Sequence, residues 1–163
     1  MGWLGRMWLG LEESALSGLT TVARRHGGAR GMAAHLATGI DGERAALFYL
    51  RRKGYCVVAQ RWSSSELPGD IDLIAWQGPM LCFVEVKTRT AHDLTSAEVA
   101  VDWHKRKTLR KLARRYVRQL PQPVGPSVRF DILSVYLVPG EKKEFVHFEG
   151  AFGWSEQRED GWR

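Results

Sequence analysis

Hydrophobic and polar positions divide the chain into a helical stretch, a run of strand-like segments, a second helix and a final strand pair. The segment TGIDGERAALFYLRRKGY, from Thr38, sets Ala46, Leu47 and Leu50 on one face and meets a stop at Gly54, which predicts a helix. Residues 55–62 (YCVVAQRW) are β-rich and follow that glycine directly, giving a first strand. Residues 70–76 and 81–89 read as two more strands. Ile71, Leu73 and Ala75 fall on one face, and Ile74, Trp76 and Phe83 on the other, so helices should cover both sides of the sheet. Thr95 and Glu98 have capping-box spacing at the start of a long helix to about Leu120. Its apolar side is Val99, Leu109, Leu112, Ala113, Tyr116 and Val117. Pro121, Pro123 and Pro126 end it. Residues 129–138 (RFDILSVYLV) alternate as a strand, and residues 144–148 pair with them as an edge hairpin across Pro139-Gly140. The expected fold is α/β: helices on both faces of a central sheet.

The stretch GDIDLIAWQGPMLCFVEVKTR, from Gly69 to Arg89, breaks this pattern, because charges interrupt two runs that otherwise read as buried strands. An unpaired ion in an apolar sheet costs several kcal/mol or neutralises itself by a shifted pKa, so Asp72, Glu85 and Lys87 should face a cleft or a ligand. With Gln77-Gly78-Pro79-Met80 as a four-residue hairpin loop, Trp76 pairs with Leu81. Counting back sets Asp72 opposite Glu85 and Asp70 opposite Lys87, and opposed Cβ atoms lie roughly 4.5–5.5 Å apart. Two carboxylates at that separation repel, and a divalent cation between them removes the problem. Hard oxygen ligands suit Mg²⁺ or Mn²⁺, with the Val86 carbonyl as a third oxygen and Lys87 beside whatever the metal activates. Asp70 is read as the ion-pair partner of Lys87 rather than as a metal ligand.

Composition narrows the function. The 163 residues suffice for one domain with a core and are too few for two full ones. A net charge of +6 favours a polyanionic partner. Cys56 and Cys82 both lie in apolar strand-like runs and read as buried thiols, without a disulfide framework or a Cys-ligated zinc site. The five histidines lack metal-ligand spacing and read as surface or loop residues. Between residues 102 and 118 the second helix carries Lys105, Arg106, Lys107, Arg110, Lys111, Arg114, Arg115 and Arg118 against Asp102 alone. A solvated face normally mixes signs, so this face is read as a phosphate-backbone contact. Residues 1–36 form an N-terminal extension with one amphipathic stripe (Leu4, Trp8, Leu11, Ala15, Leu19, Val22). It is poor in acid and lacks the apolar run of about 18 residues that a membrane span needs. Glu12 and Glu13 interrupt any signal-peptide core, and a cytoplasmic protein is expected. Residues 37–154 are the domain proper and 155–163 a polar tail.

Gly42-Glu43 opening a helix, GDIDLI, FVEVKTR and RFD together resemble the YraN-like family, bacterial proteins with a restriction-endonuclease-like fold and largely uncharacterised activity. The resemblance spans about Gly39 to Trp154. It implies a three-layer α/β/α domain with a central mixed sheet. Asp72 matches the aspartate of the family's GEIDLI motif, and Glu85 with Lys87 matches the E-x-K pair shared with PD-(D/E)xK nucleases and Holliday-junction resolvases. Glu43 matches the acid that resolvase-like members place on the first helix; read from the residues alone, it is equally a helix-start acid favoured by the macrodipole. Asp70 departs from the family's glutamate at that position.

Together these features point to a metal-dependent endonuclease acting on DNA, with catalytic residues Glu43, Asp72, Glu85 and Lys87, and Mg²⁺ or Mn²⁺ held by Asp72, Glu85 and Val86. Lys105, Arg106, Lys107, Arg110, Lys111 and Arg114 would bind nucleic acid. With no base-reading element in the chain, branched or single-stranded DNA is the expected target, cut by one copy or by a homodimer. The alternatives are a non-catalytic nucleic-acid-binding protein that keeps the nuclease fold, and an adaptor recruited through its Trp- and Leu-containing N-terminus.

Overall fold

The computed structural model of the protein describes residues 32–92, 102–121 and 125–155, with side chains from Leu36 onward. The N-terminal stripe, Thr95, Glu98, Val99, Pro123 and the tail beyond residue 155 lie outside the described residues. Among the described residues seven elements follow in order: α1 (Met32–Arg52), β1 (Cys56–Ser64), β2 (Leu67–Gln77), β3 (Met80–Arg89), α2 (Trp103–Arg118), β4 (Ser127–Tyr136) and β5 (Glu144–Phe152). The strands form one sheet in sequence order. Neighbours are antiparallel except β3 and β4, which run parallel. A parallel pair needs a crossover long enough to return the chain, and α2 lies on that crossover.

The two helices cover opposite faces, giving three layers, α/β/α. On the α1 side, Ala46, Leu47 and Leu50 pack on Leu73, Ala75, Val84 and Leu133. On the α2 side, Leu109, Leu112 and Ala113 pack on Ile74, Phe83, Phe130 and Ile132. The helical period of each helix and the alternation of each strand thus meet in two cores. One expected face assignment changes: Ile71 belongs to the α2-side core, not with Leu73 and Ala75. Beyond Leu73, β2 no longer pairs with β3, and its first half lies against Thr108 and Leu112 of α2.

Element boundaries shift for local reasons. α1 begins at Met32, ahead of Thr38, because Met-Ala-Ala-His-Leu-Ala is rich in strong helix formers. Glu43 therefore sits mid-helix and is not a helix-start acid. The helix ends as expected: Gly54 takes φ +89°, and the amides of Gly54 and Tyr55 return to the carbonyls of Arg51 and Leu50, a Schellman closure that needs a left-handed residue. Among the described residues α2 starts at Trp103, where Asp102 caps it by accepting from the Lys105 amide at 2.8 Å. Pairing of Gln77 with Met80 shortens the expected hairpin loop to a Gly78-Pro79 turn while keeping Trp76 opposite Leu81. β5 continues past residue 148 to Phe152, which stacks on Phe130 with ring centroids 4.8 Å apart.

Two buried-residue expectations are corrected. Cys56 is exposed, since β1 is an edge strand; Cys82 is buried as expected. His147 is not a surface residue: its side chain is buried against Asp131. Asp131, fully buried, takes both ends of the Arg129 guanidinium at 2.8 and 3.0 Å, the His147 ring at 3.1 Å and the Gly150 amide at 2.9 Å. Arg129 also donates to the Tyr55 hydroxyl at 2.8 Å and pairs with Glu149 at 2.8 Å. This satisfied network ties Tyr55, just after α1, to β4 and β5 and makes Asp131 a structural residue.

Gly42 sets the distance between α1 and the sheet. A Cβ there would run into Oγ1, Cβ and Cγ2 of Thr88 on β3, so only glycine allows the contact that carries Glu43 over the strand ends. We expect Gly42→Ala to cost roughly 1–3 kcal/mol in denaturant unfolding, as overpacking does, with part of the loss recovered by Thr88→Ala. Asp131 gives a pH test. Burial alone would raise its pKa, but hydrogen bonds from His147, Arg129 and the Gly150 amide outweigh it and hold the carboxyl below its ordinary value. A depressed carboxyl contributes stability that is present above the unfolded pKa, about 3.9, and is lost as pH falls through the folded value. Asp131→Asn should lose about 3–5 kcal/mol near neutral pH, the scale of a broken buried pair. Thermal melts across pH 2–7 should show the wild-type advantage shrinking at the acid end.

Candidate functional site

The site forms where two paired strands part. The β2–β3 ladder runs from Gln77 opposite Met80 to Leu73 opposite Val84 and stops there. Beyond it β2 stays with β1, with Ile71 opposite Trp62 and Asp70 opposite Ser63. β3 stays with β4 through Glu85, Val86 and Lys87 to Arg89. The Val86 amide would otherwise face the gap without a strand partner, and a buried amide must be satisfied. The Asp72 carboxylate supplies the acceptor, with Oδ2 2.6 Å from the Val86 nitrogen. Asp72 and Glu85 thus come together, as the hairpin count required, but through a side chain that replaces the ladder.

The parting separates the other expected pair. Asp70 does not meet Lys87: its Oδ2 lies 3.7 Å from Arg61 Nε, while Lys87 Nζ donates to Glu85 Oε1 at 2.9 Å. The opposition was counted along a ladder that ends at Leu73. Glu43 faces the gap from α1 and, with Thr38, Asp72, Glu85, Val86 and Thr88, borders a cavity of about 300 Å³.

Burial governs the electrostatics. Glu85 is 3 % exposed and holds one lysine on each oxygen: Lys87 on Oε1, and Lys105 Nζ 3.0 Å from Oε2. Buried Oε2 relies on that Lys105 ammonium for its charge partner. Asp72 is pushed up to about 7 by burial and then by the charge of Glu85, only partly offset by the Val86 amide and Lys105. Glu43 is raised by burial, with Arg61, 3.8 Å away, as the leading opposing influence. Burial pulls Lys105 down, but Glu85 and Asp72 outweigh it, and the net direction is up.

Two site residues have roles that the sequence reading missed. Lys105 was assigned to a phosphate-facing helix surface, yet it turns into the acid pair. A helix counted from Thr95 places Lys105 mid-helix and hides its place in the first turn, where a cation opposes the macrodipole. Arg61 is the one non-glycine residue with positive φ among the described residues, at 47°. It lies in β1 between the pairs Gln60–Leu73 and Trp62–Ile71, beside Asp72, and its guanidinium stands between Glu43 and Asp70. Left-handed backbone is costly for such a residue and clusters at functional sites. Nothing in the strand pattern marks it.

The basic helix face is less uniform than its sequence. Lys105 is drawn into the acid pair, and Arg115 pairs with Glu66. Arg110 is buried, donating Nε to the Gly153 carbonyl at 2.8 Å. Arg106 and Arg110 lie over the Phe152 ring, and Arg114 over Trp154. Lys107, Lys111 and Arg114 stay exposed and, with Arg110 and Trp154, border a second cavity of about 280 Å³.

Among the described residues no three His, Cys, Asp or Glu side chains group as metal ligands. Glu43 borders the cavity without completing such a set. The donors at the gap are two carboxylates, Asp72 and Glu85, beside the Val86 backbone. Glu85 Oε2, buried against the Lys105 ammonium, is the atom a cation would meet. That all-oxygen set fits a hard ion that keeps several waters, as Mg²⁺ does.

The raised Asp72 has a consequence for stability. Between the unfolded pKa, about 3.9, and the folded value of about 7, the folded protein binds the extra proton, so stability falls as pH rises through that window. Without added metal, Asp72→Asn should raise Tm at pH 8 by the equivalent of a few kcal/mol, on the order of 1.4 kcal/mol per pKa unit, and change it little at pH 4. Thermal melts at the two pH values check this.

The chain matches the model of a family described as uncharacterised protein family UPF0102 over residues 42–135. Among relatives, a UPF0102 protein of Koribacter versatilis is 45% identical over 118 residues, covering 72% of this chain and 80% of the relative. One from Solibacter usitatus is 46% identical over 111 residues, covering 68% and 82%. One from Rhodococcus jostii is 36% identical over 121 residues, covering 74% of this chain and 100% of the relative. The matched stretch runs from the glycine that seats α1 on the sheet to the end of β4, taking in the parted strands and their acids, and the chain belongs to the UPF0102 (YraN) family.

Proposed function

We propose that the protein is a metal-dependent endonuclease that hydrolyses phosphodiester bonds in DNA, with Asp72, Glu85 and Lys87 at its centre. The observation that carries this reading is the junction itself: two buried carboxylates, Asp72 and Glu85, are brought together where strands part, bordering one cavity with Glu43. Such a pair is costly without a cation. Asp72 and Glu85 would hold Mg²⁺ or Mn²⁺, with the Val86 carbonyl as a third oxygen. The ion, when bound, acidifies a water and offsets charge on the phosphoryl group.

The chain's own residues do the rest. Lys87, anchored on Glu85 Oε1, places an ammonium beside the gap, where it orients and polarises the attacking water. Attack in line with the leaving oxygen forms the new P–O bond as the old one breaks. Glu43, which borders the same cavity, would hold water beside the ion or hold a second one. Exposed Lys107, Lys111 and Arg114 contact phosphates of the backbone, which positions a duplex or branch without reading sequence. Lys105, Arg106 and Arg110 support that surface through their packing. Structure-selective cleavage of branched or single-stranded DNA, by one copy or by a homodimer, follows from that lack of base readout.

A second reading keeps the nucleic-acid surface and drops the turnover. The observation favouring it is that both oxygens of Glu85 already hold lysines. Purified protein incubated with labelled branched, flapped, single-stranded and duplex substrates should cut at least one with Mg²⁺ or Mn²⁺ and none with chelator. Lys87→Ala should lower the rate about 10²-fold or more, as loss of a positioned charge-stabilising group does, with an unchanged circular dichroism spectrum. Salt-sensitive binding without cleavage under either metal would transfer the assignment to the binding reading.

A further inference from the structure

Lys105 is out of place for a residue whose task is to contact phosphate. A lysine on a helix surface normally lays its stem along apolar groups and sends its ammonium to solvent. This one comes from the first turn of α2, where a cation opposes the helix dipole. Its backbone is fixed there by the Asp102 cap. Its Nζ nevertheless turns inward to within 3.0 Å of Glu85 Oε2, an oxygen of a side chain only 4 % exposed. Lys87 already occupies Oε1, so Lys105 is not needed to give Glu85 a single partner. It neutralises the second carboxylate charge of the Asp72–Glu85 pair.

We propose that Lys105 is the internal counter-ion of the acid pair and shares Glu85 Oε2 with the divalent cation, which must displace it to bind. This rests on the reading of the strand gap as a cation site, and it adds a positioning residue to that site. Without the cation, Lys105 keeps two buried carboxylates from repelling one another and holds the N-terminal turn of α2 against the sheet. When a cation takes Oε2, the ammonium is released on its tether beside the bound ion, where a polyanion's phosphate would lie. Loading the cation and freeing a phosphate-binding lysine are then one event. The protein would resist low divalent concentrations, and its hold on nucleic acid would tighten when the cation is bound.

The competition can be measured without any cleavage assay. Full-length wild type, Lys105→Met, Lys105→Arg and Asp72→Asn are titrated with Mn²⁺, and free Mn²⁺ is read by electron paramagnetic resonance. An opposite charge within about 4–6 Å biases a carboxylate by one to three pKa units. Because Lys105 is partly exposed, the low end applies, and Lys105→Met should bind Mn²⁺ at least about tenfold more tightly than wild type. Lys105→Arg, which keeps the charge, should stay with wild type. Lys105→Gln stands in if the methionine variant fails to fold by circular dichroism. Equal or weaker binding by the uncharged variant, with wild-type binding that Asp72→Asn abolishes, overturns the counter-ion role and leaves the cation site standing. If neither wild type nor Lys105→Met binds, the cation site falls and the counter-ion role with it. Binding by Lys105→Met alone supports the competition.

Discussion

Everything at the candidate site depends on one carboxylate amide contact, Asp72 Oδ2 on the Val86 nitrogen. A sheet cannot open a gap between two of its inner strands without leaving buried amides and carbonyls unpaired, and each such group costs about as much as a lost hydrogen bond. Asp72 meets the exposed amide with its own side chain. That lets β2 leave β3 after Leu73 and follow β1, while β3 remains laddered to β4. The gap is what brings side chains from α1, β2, β3 and α2 to one place.

The arrangement carries a standing electrostatic strain that the surroundings only partly relieve. Asp72 and Glu85 are both buried and repel; Asp72 responds with a raised pKa, and Glu85 takes two lysines. Arg61 stands between the flanking acids Glu43 and Asp70 in a backbone conformation that favours glycine. Evolutionarily inert packing would place apolar residues at such positions, since a buried ion pair is seldom a net gain over hydrophobic contact. The charges concentrated at this junction contrast with the fully satisfied Asp131 network between β4 and β5.

The two networks show why a buried charge alone is weak evidence. Asp131 is more deeply buried than Asp72, but each of its oxygens is met by donors from Arg129, His147 or the Gly150 amide, and its pKa is depressed. Asp72 has one amide and a neighbouring carboxylate, and its pKa is raised. Satisfaction, not exposure, sets the opposite directions of the two shifts.

The sequence by itself determined the layers and the meeting of Asp72 with Glu85, but not Lys105 or Arg61 beside them. Periodicity in residues 38–54 and along α2, and alternation in the strands, required a sheet covered on both faces, and charges in the middle of GDIDLI and FVEVKTR marked where the strand pattern breaks. Near-neighbour pairing was legible too: Trp76 meets Leu81 because a hairpin's register follows from its turn. What depended on the path of strands after they separate was not legible. The Asp70–Lys87 pairing failed because it was counted past the point where the ladder ends, and no local pattern marks that point. The basic helix read as one surface, since sequence gives charge and period but not which neighbour each long side chain will reach. Arg110 and Arg114 were claimed by the carbonyls of Gly153 and Trp154, and Lys105 by Glu85. Those destinations were decided by the tertiary structure, because a lysine or arginine spans several ångströms and its partner is set by whichever buried charge the packed fold brings within reach.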